Sequence, residues 1–309
     1  MKAIVYKSTG SWYQVKGEDG TFYSARIKGI FKIDGFTSTN PIAVGDLVEI
    51  AIEPGPEQHA IIEAIEPRNN YVIRQSPHHR KHHHIIAANI DQSILFITLK
   101  QPRTSQGFID RFLIACEMYH VPAILVFNKA DIYREKEMQQ FQQLEALYTG
   151  IGYRVLFCSM VTGQNMAALQ QLMHQKTSLL SGHSGVGKST YIQQIFPSLA
   201  LKTLAVSEWS GKGMHSTTFA EMFDLPEGGK IIDTPGIREL ALVDISRQEL
   251  SHYFPEMRER ITQCQFNNCL HMYEPGCAVK QAVDAGIIAE ERYFSYLKLL
   301  EAIDENNWA

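Results

Sequence analysis

The residues with the most recognisable chemistry form a glycine-rich segment in the second half of the chain. The segment covers residues 182–189, follows the apolar run Thr177–Ser181 and precedes a helical pattern. A strand, a glycine-rich loop and a helix in this order can wrap a phosphate group, because backbone N–H groups and the helix N-terminus then face its oxygens. We therefore predict a nucleotide-phosphate site at Gly182, His183, Ser184, Gly185, Val186, Gly187, Lys188 and Ser189.

Two side chains of this loop and a second motif predict the magnesium chemistry. Lys188 is placed to reach the β- and γ-phosphates during catalysis, and the Ser189 hydroxyl is placed to ligate Mg²⁺. Downstream, the sequence Asp-Thr-Pro-Gly at 233–236 follows a predicted strand at 230–232, where Asp233 would approach the magnesium shell and the Gly236 N–H the γ-phosphate. Alone these four residues could be a plain turn, but their position after the phosphate loop favours function.

A polar segment lies between these two motifs and is typical of a switch that orders around the γ-phosphate. Within it, Thr217 or Thr218 is the candidate for a second magnesium ligand. Ile237 occupies the place where many GTPases have a glutamine that orients the attacking water, and its side chain cannot form a hydrogen bond. We predict that His215 positions the water instead; a histidine that only packs or caps locally is the open alternative.

A third motif, Asn128-Lys129-Ala130-Asp131, follows the apolar strand predicted at Ala123–Phe127. A carboxylate at Asp131 can accept hydrogen bonds from both N1–H and the exocyclic amino group of guanine, whereas adenine offers no such pair, so we predict selection of GTP over ATP. Ser159 follows the next predicted strand, in the place of a loop that supports the base.

The order of these motifs is unusual, because base recognition precedes phosphate binding along the chain. In an ordinary GTPase the base-reading motif comes last. All the parts of a GTPase are present in a rotated order, which predicts a circularly permuted GTPase domain.

A fourth group of residues has the composition of a metal site. Of five cysteines, Cys264, Cys269 and Cys277 lie near the C-terminus around His271, in loop-forming sequence, while Cys116 and Cys158 stand alone in apolar surroundings. Three thiolates and an imidazole without a vacant position predict one closed, structural zinc site per chain. The alternative is buried free cysteines beside an incidental histidine.

The elements that must position these residues fall into successive parts. Residues 1–70 show short alternating runs with turn signals, which predicts a small β-barrel of the oligonucleotide-binding type. Its aromatic residues could stack on bases or simply form the core. The predicted strands are at 3–6, 12–15, 22–27, 44–52 and 60–65, and the aromatics are Trp12, Tyr13, Phe22, Tyr23, Phe31 and Phe36.

Residues 71–84 contain a histidine-rich run and are predicted to be a solvated linker. From 85 to 244 strands alternate with helices, which predicts a parallel sheet with helices on both faces and ligands at the carboxyl ends of its strands. Residues 245–309 have helical patterns around the cysteine loop and form a predicted helical zinc-binding domain. The fold class is therefore multidomain α/β.

Composition sets limits on the function. The chain has 309 residues, is 45% hydrophobic and carries a net charge of −4, so charge alone does not indicate RNA binding. No apolar stretch reaches the roughly 18 residues that a membrane helix needs. We expect a cytoplasmic protein without membrane contact, and a monomer.

With these motifs in this order, the chain resembles the RsgA (YjeQ) family of circularly permuted GTPases that depend on the small ribosomal subunit. The resemblance covers essentially the whole chain. It implies a barrel that binds ribosomal RNA, a permuted GTPase domain and a C-terminal zinc domain, with GTP hydrolysis stimulated by the subunit during its late maturation. It departs from the family at Ser216, where a threonine is common, and in the acidic balance of the barrel.

Residue by residue, the resemblance extends phosphate binding from 182–189 to Thr190 and assigns guanine binding to Asn128, Lys129 and Asp131. It assigns zinc to the three C-terminal cysteines and His271, and matches the family's switch histidine to His215. Two other classes remain open from the residues: a phosphate-loop ATPase or kinase, and an RNA-binding scaffold that holds GTP as a structural ligand. Because residues 233–236 lead directly into the C-terminal helices, loss of the γ-phosphate is also expected to move that domain.

Overall fold

The structure, a computed structural model, describes residues 1–28, 41–55, 57–75, 83–196, 220–233, 242 and 245–304. Along these residues a β-barrel is followed by an α/β sheet and then by a group of helices. Several residues with predicted roles lie outside the described ranges: Phe31, Phe36, His215, Thr217, Thr218, Gly236 and Ile237.

The alternating residues at the N-terminus form five strands that close into a barrel. These are β1 (Lys2–Ser8), β2 (Tyr13–Gly17), β3 (Phe22–Ile27), β4 (Leu47–Ile52) and β5 (His59–Ile65). Their order is β1-β2-β3-β5-β4, with β4 pairing back to β1, and only β3 and β5 run parallel. Every second side chain points inward, so Val5, Val15, Ala25, Val48 and Ile62 have no exposed surface. The predicted barrel is confirmed.

The barrel aromatics divide between the core and the surface. Tyr13 and Tyr23 are buried, whereas Trp12 is 43% and Phe22 39% exposed. Because strand residues alternate between faces, only the pairing register decides which aromatic points outward. Among the barrel aromatics that the structure describes, Trp12 and Phe22 are therefore exposed enough to stack on a base.

The range predicted as a linker contains strand structure, which corrects that prediction. Strand β6 (Tyr71–Gln75) pairs antiparallel with β7 (His83–Ala88) as a two-stranded sheet. Val72, Ala87 and Ala88 are fully buried in it. Val72 inside the range and the two alanines just after it thus have a packing role.

The central part forms a twisted sheet flanked by helices. In chain order its elements are β8 (Gln92–Ile97), α1 (Gln106–Met118), β9 (Ala123–Phe127), α2 (Glu135–Ile151), β10 (Arg154–Phe157), α3 (Met166–Met173), β11 (Thr177–Ser181), α4 (Lys188–Ile195), β12 (Glu221–Asp224) and β13 (Lys230–Asp233). Strands β10-β9-β8-β11-β13 are neighbours in that order and all run parallel. Every residue of β8 is buried, as expected for a central parallel strand.

Strand β12 extends the predicted parallel sheet beyond β13. It runs antiparallel to β13 and also pairs with β1 of the barrel, with Lys7 opposite Glu221. The barrel and the central sheet therefore form one continuous set of eleven strands. A four-residue strand of sequence Glu-Met-Phe-Asp has too little periodicity to be recognised from sequence.

The C-terminal part, residues 245–304, consists of helices and 3₁₀ turns around the loop that carries the cysteines. It contains α5 (Arg247–Leu250), α6 (Pro255–Arg258), α7 (Ala278–Asp284) and α8 (Glu290–Asp304), with single 3₁₀ turns at Ser251–Tyr253 and Ile261–Gln263. Helix α8 packs against α1 of the central part. Among the helices of the described ranges, none combines the length and apolar character needed to cross a membrane.

Candidate functional site

Three of the predicted nucleotide motifs meet at the carboxyl edge of the parallel strands. The base-reading motif follows β9, Ser159 comes just after β10, and the phosphate loop follows β11. Asp233 ends β13 and is paired in register with Leu180, just before the phosphate loop. Parallel strands bring their carboxyl ends to one edge, so residues far apart in sequence form one site.

Two glycines of the phosphate loop are required by close backbone contacts. Gly182 has a φ of 129°, and a Cβ there would lie 2.5 Å from the carbonyl oxygen of Phe96. Gly187 has a φ of 106°, and a Cβ there would lie 2.2 Å from the Asn128 amide nitrogen. Any side chain at these positions would force the loop apart.

Asn128 connects the phosphate loop to the loop after β10. Its side chain is buried; Nδ2 donates to the carbonyl oxygen of Val186 at 2.8 Å, and Oδ1 accepts from the backbone N–H of Met160 at 3.1 Å. Predicted from sequence as part of a base-reading motif, this residue also fixes the relative position of three loops.

The predicted base-selecting carboxylate is exposed at the same edge and held from one side. Asp131 accepts a hydrogen bond from the hydroxyl of the buried Ser159, whose oxygen accepts in turn from the N–H of Thr162 at 3.1 Å. Lys129 takes a left-handed conformation with a φ of 66°, and its ammonium group donates to the carbonyl of Gln101. The Asp131 carboxylate is thus oriented by Ser159, and it remains accessible to a pair of N–H donors on a bound base.

Lys188 lies inside the phosphate loop and bonds to the loop itself. Its ammonium group donates to the carbonyl oxygens of Gly182 at 2.6 Å and His183 at 2.9 Å. Burial lowers the pKa of Lys188, an effect that the nearby Asp233 carboxylate opposes. An anion in the loop would supply the negative charge that this partly desolvated cation lacks.

The remaining loop residues present an accessible surface. Ser184, Gly185, Ser189 and Thr190 are exposed, the last two in the first turn of α4. Ser189 and Asp233 are the predicted magnesium ligands that the structure describes. Ser189 follows Lys188 in the first turn of α4, and Asp233 ends β13, the strand that pairs with β11. Thr217, Thr218, His215 and Gly236 lie outside the described residues.

A segment that the sequence did not single out contacts both nucleotide loops. The residues between β8 and α1 place Pro102 beside Gly185, with the proline Cδ 3.6 Å from the position of a Cβ, and provide the Gln101 carbonyl to Lys129. In the first turn of α1, the ring of Phe108 lies 4.0 Å from that of His183, measured between centroids. No motif marks these residues, so sequence reasoning could not have identified them.

The predicted metal ligands converge in the C-terminal part. The ligand atoms of Cys264, Cys269, His271 and Cys277 all lie within 4.8 Å of one another. The His271 Nδ1 atom is 3.3 Å from the Cys277 sulfur and 3.7 Å from the Cys264 sulfur. These residues could hold a metal ion.

The donor set and its surroundings fit a tetrahedral ion. Two sulfurs each about 2.3 Å from zinc lie about 3.8 Å apart, which is within the span of this cluster. The loop is fixed by Tyr293, which donates to the His271 carbonyl at 2.6 Å, and by Tyr296, which donates to the Leu270 carbonyl at 2.8 Å. Burial raises the pKa of the Cys269 thiol to about 12, so a cation is needed to hold it as a thiolate at neutral pH.

The other two cysteines stand apart from this cluster. Cys116 and Cys158 are buried and free. Burial raises the pKa of Cys158 to about 12 and that of Cys116 higher. Both behave as apolar side chains of the core.

Comparison with known proteins identifies relatives along the whole chain. A family model described as RsgA GTPase matches residues 65–243, and a model described as RsgA N-terminal domain matches residues 2–61. A protein of Cytophaga hutchinsonii named small ribosomal subunit biogenesis GTPase RsgA is 54% identical, covering 97% of this chain and 98% of that protein. A protein of the same name from Christiangramia forsetii is 50% identical over 99% of this chain and 98% of its own length.

Solved structures agree with the order of domains. The crystal structure of YjeQ from Thermotoga maritima is 33% identical, with a TM-score of 0.78 and coverage of 97% of each chain. The structure of YloQ, described as a circularly permuted GTPase, is 29% identical, with a TM-score of 0.75 and coverage of 99% of this chain and 95% of that one. Their fold therefore extends over both the barrel and the C-terminal helices.

Proposed function

Because the chain belongs to the RsgA GTPase family, we propose that its permuted nucleotide site converts GTP to GDP and phosphate under stimulation by the small ribosomal subunit. It is a GTP-hydrolysing enzyme that acts in ribosome biogenesis, and we place its action late in maturation of the small subunit. The observation that supports this most directly is Asn128, which links the guanine motif to the phosphate loop through one buried side chain.

We assign substrate binding to two groups of residues. The phosphates bind to the backbone N–H groups of residues 182–190, with Lys188 on the β- and γ-phosphates. Guanine binds to Asp131, which accepts from two donors of the base, while Ser159, Asn128 and Lys129 keep its loop in place. The hydrogen bonds from Ser159 to Asp131 and from Asn128 to Val186 support this division of roles.

We assign hydrolysis to residues at the γ-phosphate end. Ser189, Asp233 and either Thr217 or Thr218 are suited by chemistry to hold Mg²⁺, which when bound neutralises charge that develops on the phosphate oxygens. Lys188 stabilises the same charge, the Gly236 N–H donates to the γ-phosphate, and His215 orients the attacking water. The proximity of the Lys188 and Asp233 charges is consistent with a site shared by cation and phosphate.

The C-terminal cluster is proposed to bind one structural zinc ion per chain. Four buried or half-buried ligands leave no open position for a substrate. Zinc would join the loop of Cys264 to the start of α7 at Cys277. Of the apolar side chains between them, Phe266 and Tyr273 are exposed and Leu270 and Met272 only half-buried, so they form little core of their own.

We propose that the protein acts as a monomer in the cytosol, where ribosomal subunits mature. Its domains are the barrel at 1–70, the segment 71–84, the GTPase domain at 85–244 and the zinc domain at 245–309. The barrel and zinc domain dock on ribosomal RNA, and exposed Trp12 and Phe22 offer faces on which bases could stack. Docking orders residues 211–218 and thereby triggers hydrolysis, after which GDP favours release.

The proposal is tested by GTP turnover of the purified full-length protein with and without purified small ribosomal subunits, with ATP as the matched control. Strong stimulation with GTP alone supports the proposal. GTP binding without stimulated turnover would instead indicate a scaffold that holds the nucleotide as a structural ligand. Equal turnover of ATP would indicate a general phosphate-loop ATPase and would remove the assigned role of Asp131.

A further inference from the structure

Helix α1 makes contacts at both of its ends that the nucleotide chemistry does not explain. At its N-terminal end, the segment that leads into it contacts Gly185 and Lys129, and Phe108 stacks near His183. The hydroxyl of Ser105 caps the helix by accepting from the N–H of Phe108 at 3.3 Å. The start of α1 is therefore a support for both the phosphate loop and the base loop.

Further along, α1 is fixed to the C-terminal part by a buried ion network. Arg292 on α8 and Asp110 on α1 have fully buried side chains, and Nη1 of the arginine is 2.7 Å from Oδ1 of the aspartate. The same guanidinium reaches Glu256 on α6 at 2.7 Å through Nε. Ser295 of α8 donates to the other oxygen of Asp110, and Tyr148 of α2 donates to the first at 2.8 Å.

This network specifies a geometry more than it contributes net stability. Both members of a buried ion pair lose their hydration, so replacing such a pair by apolar groups often leaves the free energy of unfolding unchanged. The planar guanidinium group of arginine, in contrast, holds two carboxylates at defined angles. A second ion pair, Glu117 with Arg258 at 3.0 Å, joins the C-terminal end of α1 to α6 but is exposed and screened. Arg292 is thus the main fixed point between α1 and the C-terminal helices.

From these contacts we propose that Arg292 and Asp110 are positioning residues for nucleotide binding. They set the axial position of α1, and α1 through Phe108 and the preceding segment holds the phosphate loop and the base loop at their working separation. The C-terminal metal domain therefore acts on the nucleotide site through α1, in addition to any route through residues 234–241. This inference rests on the proposed function, because it assumes that these loops bind a guanine nucleotide.

The test is the dissociation rate of a fluorescent N-methylanthraniloyl-GDP from full-length, metal-loaded protein. Arg292→Lys keeps the charge but lacks the planar fork that holds Asp110 and Glu256 at fixed angles. Phe108→Leu weakens the contact with His183. Each is expected to speed dissociation roughly fivefold. Because both act through the same helix, the double variant is expected to be no faster than the faster single variant. Ser295→Ala, which removes one hydrogen bond to Asp110, is a milder variant for which a smaller acceleration is expected.

The matched control is Leu300→Ala, which removes a buried side chain from the same helix α8 without touching Asp110. It lowers the free energy of unfolding but should leave nucleotide dissociation close to the wild-type rate. Acceleration in Leu300→Ala equal to that in Arg292→Lys, multiplied effects in the double variant, or wild-type dissociation in both Arg292→Lys and Ser295→Ala would each overturn the inference. A wild-type protein that binds no guanine nucleotide would instead overturn the proposed function itself.

Discussion

The side chain of Asn128 makes a pair of hydrogen bonds that no other residue type could make in its place. Its amide donates to Val186 and accepts from Met160, so an acid would lose the donor and a longer glutamine would displace one of the two loops. Gly187 leaves room for this amide because a Cβ there would overlap it. The relative position of these loops therefore depends on contacts between single atoms of Asn128, Val186, Met160 and Gly187.

We expect Asn128→Ala to weaken nucleotide binding by at least about tenfold and to lower the free energy of unfolding by about 1–3 kcal/mol. Two buried backbone groups, the Val186 carbonyl and the Met160 N–H, would each lose their partner. Nucleotide titration and urea denaturation measure the two effects. Asn70→Ala is the matched control, since Asn70 also bonds a backbone carbonyl and N–H, those of Ile90, both at 2.8 Å and away from the nucleotide loops. Equal loss of affinity in both variants would contradict the role of Asn128.

Asp131→Asn should change the preferred base from guanine to xanthine. Xanthine has a carbonyl oxygen where guanine has its amino group, so an amide can donate where the carboxylate accepted. We expect GTP affinity to fall by roughly a hundredfold and the affinity for xanthosine triphosphate to rise, measured by competition against a labelled nucleotide. The phosphate loop is unchanged in this variant, so loss of affinity for both nucleotides would indicate a damaged fold instead of altered recognition.

At the scale of elements, the short strand β12 joins two parts of the molecule. It lies between β13, which ends at Asp233, and β1 of the barrel. Tyr6 and Lys16 of the barrel each bond a carboxylate oxygen of Asp224 at 2.6 Å, and Lys7 pairs with Glu221 at 2.9 Å. The barrel therefore holds the strand that pairs with the one ending at Asp233, the proposed magnesium ligand.

This junction should be sensitive to acid. Burial raises the pKa of Asp224, but hydrogen bonds from Lys16 and Tyr6 outweigh it, and the net pKa is below the ordinary value. The stabilisation is thus fully present above the unfolded-state pKa of about 4 and is lost as the pH falls through the lower folded-state pKa. Asp224→Asn should lower the free energy of unfolding by at most about 1 kcal/mol at pH 7, because the side chain is partly exposed, and by progressively less below about pH 4.

Urea denaturation of wild type and Asp224→Asn between pH 7 and pH 3 measures this difference directly. The matched control is Glu63→Gln, which breaks the exposed pair with Lys28 at 3.5 Å and should change stability little at any pH. A difference between wild type and Asp224→Asn that stays constant across this pH range would show that the carboxylate is not held by these partners.

At the scale of the whole molecule, the C-terminal helices depend on contacts from outside themselves. Helices α5 and α6 have only four residues each, which is too short for stability in isolation. Arg247 of α5 lies 3.6 Å from the Met272 sulfur in the cysteine loop, and Glu256 of α6 is paired with Arg292. Loss of either contact should therefore destabilise the whole of residues 245–304.

Removal of the metal should open the C-terminal part while the barrel stays folded. Chelation, or Cys269→Ser, is expected to increase hydrogen exchange strongly across residues 261–284 and to leave residues 1–28 unchanged, because the barrel has its own closed core. Elemental analysis of the native protein should find one zinc per chain. Unchanged exchange after complete loss of metal would mean that the cluster does not support the fold.

Much of the site followed from the sequence because its signals are local. The loop at 182–189 lies between β11 and α4, as its flanking residues predicted, and the predicted bounds of β9 agree with the structure. The ligands Cys264 to Cys277 lie close together in sequence, so their spacing alone indicated a cluster. Short-range patterns of this kind depend on backbone preferences and periodicity, which each segment carries with it.

Other features depended on contacts between distant parts of the chain, and only the tertiary structure decided them. The bond from Asn128 to Val186 spans 58 residues, the ion pair of Asp110 with Arg292 spans 182, and the pairing of Lys7 with Glu221 spans 214. Asn128 and Val186 lie in two separate motifs and the other four residues lie in none, so no local pattern indicates any of these pairings. The sequence determined the chemistry of each loop, whereas packing of the complete chain determined which loops, helices and strands hold one another, because such contacts form only when every intervening element has its place.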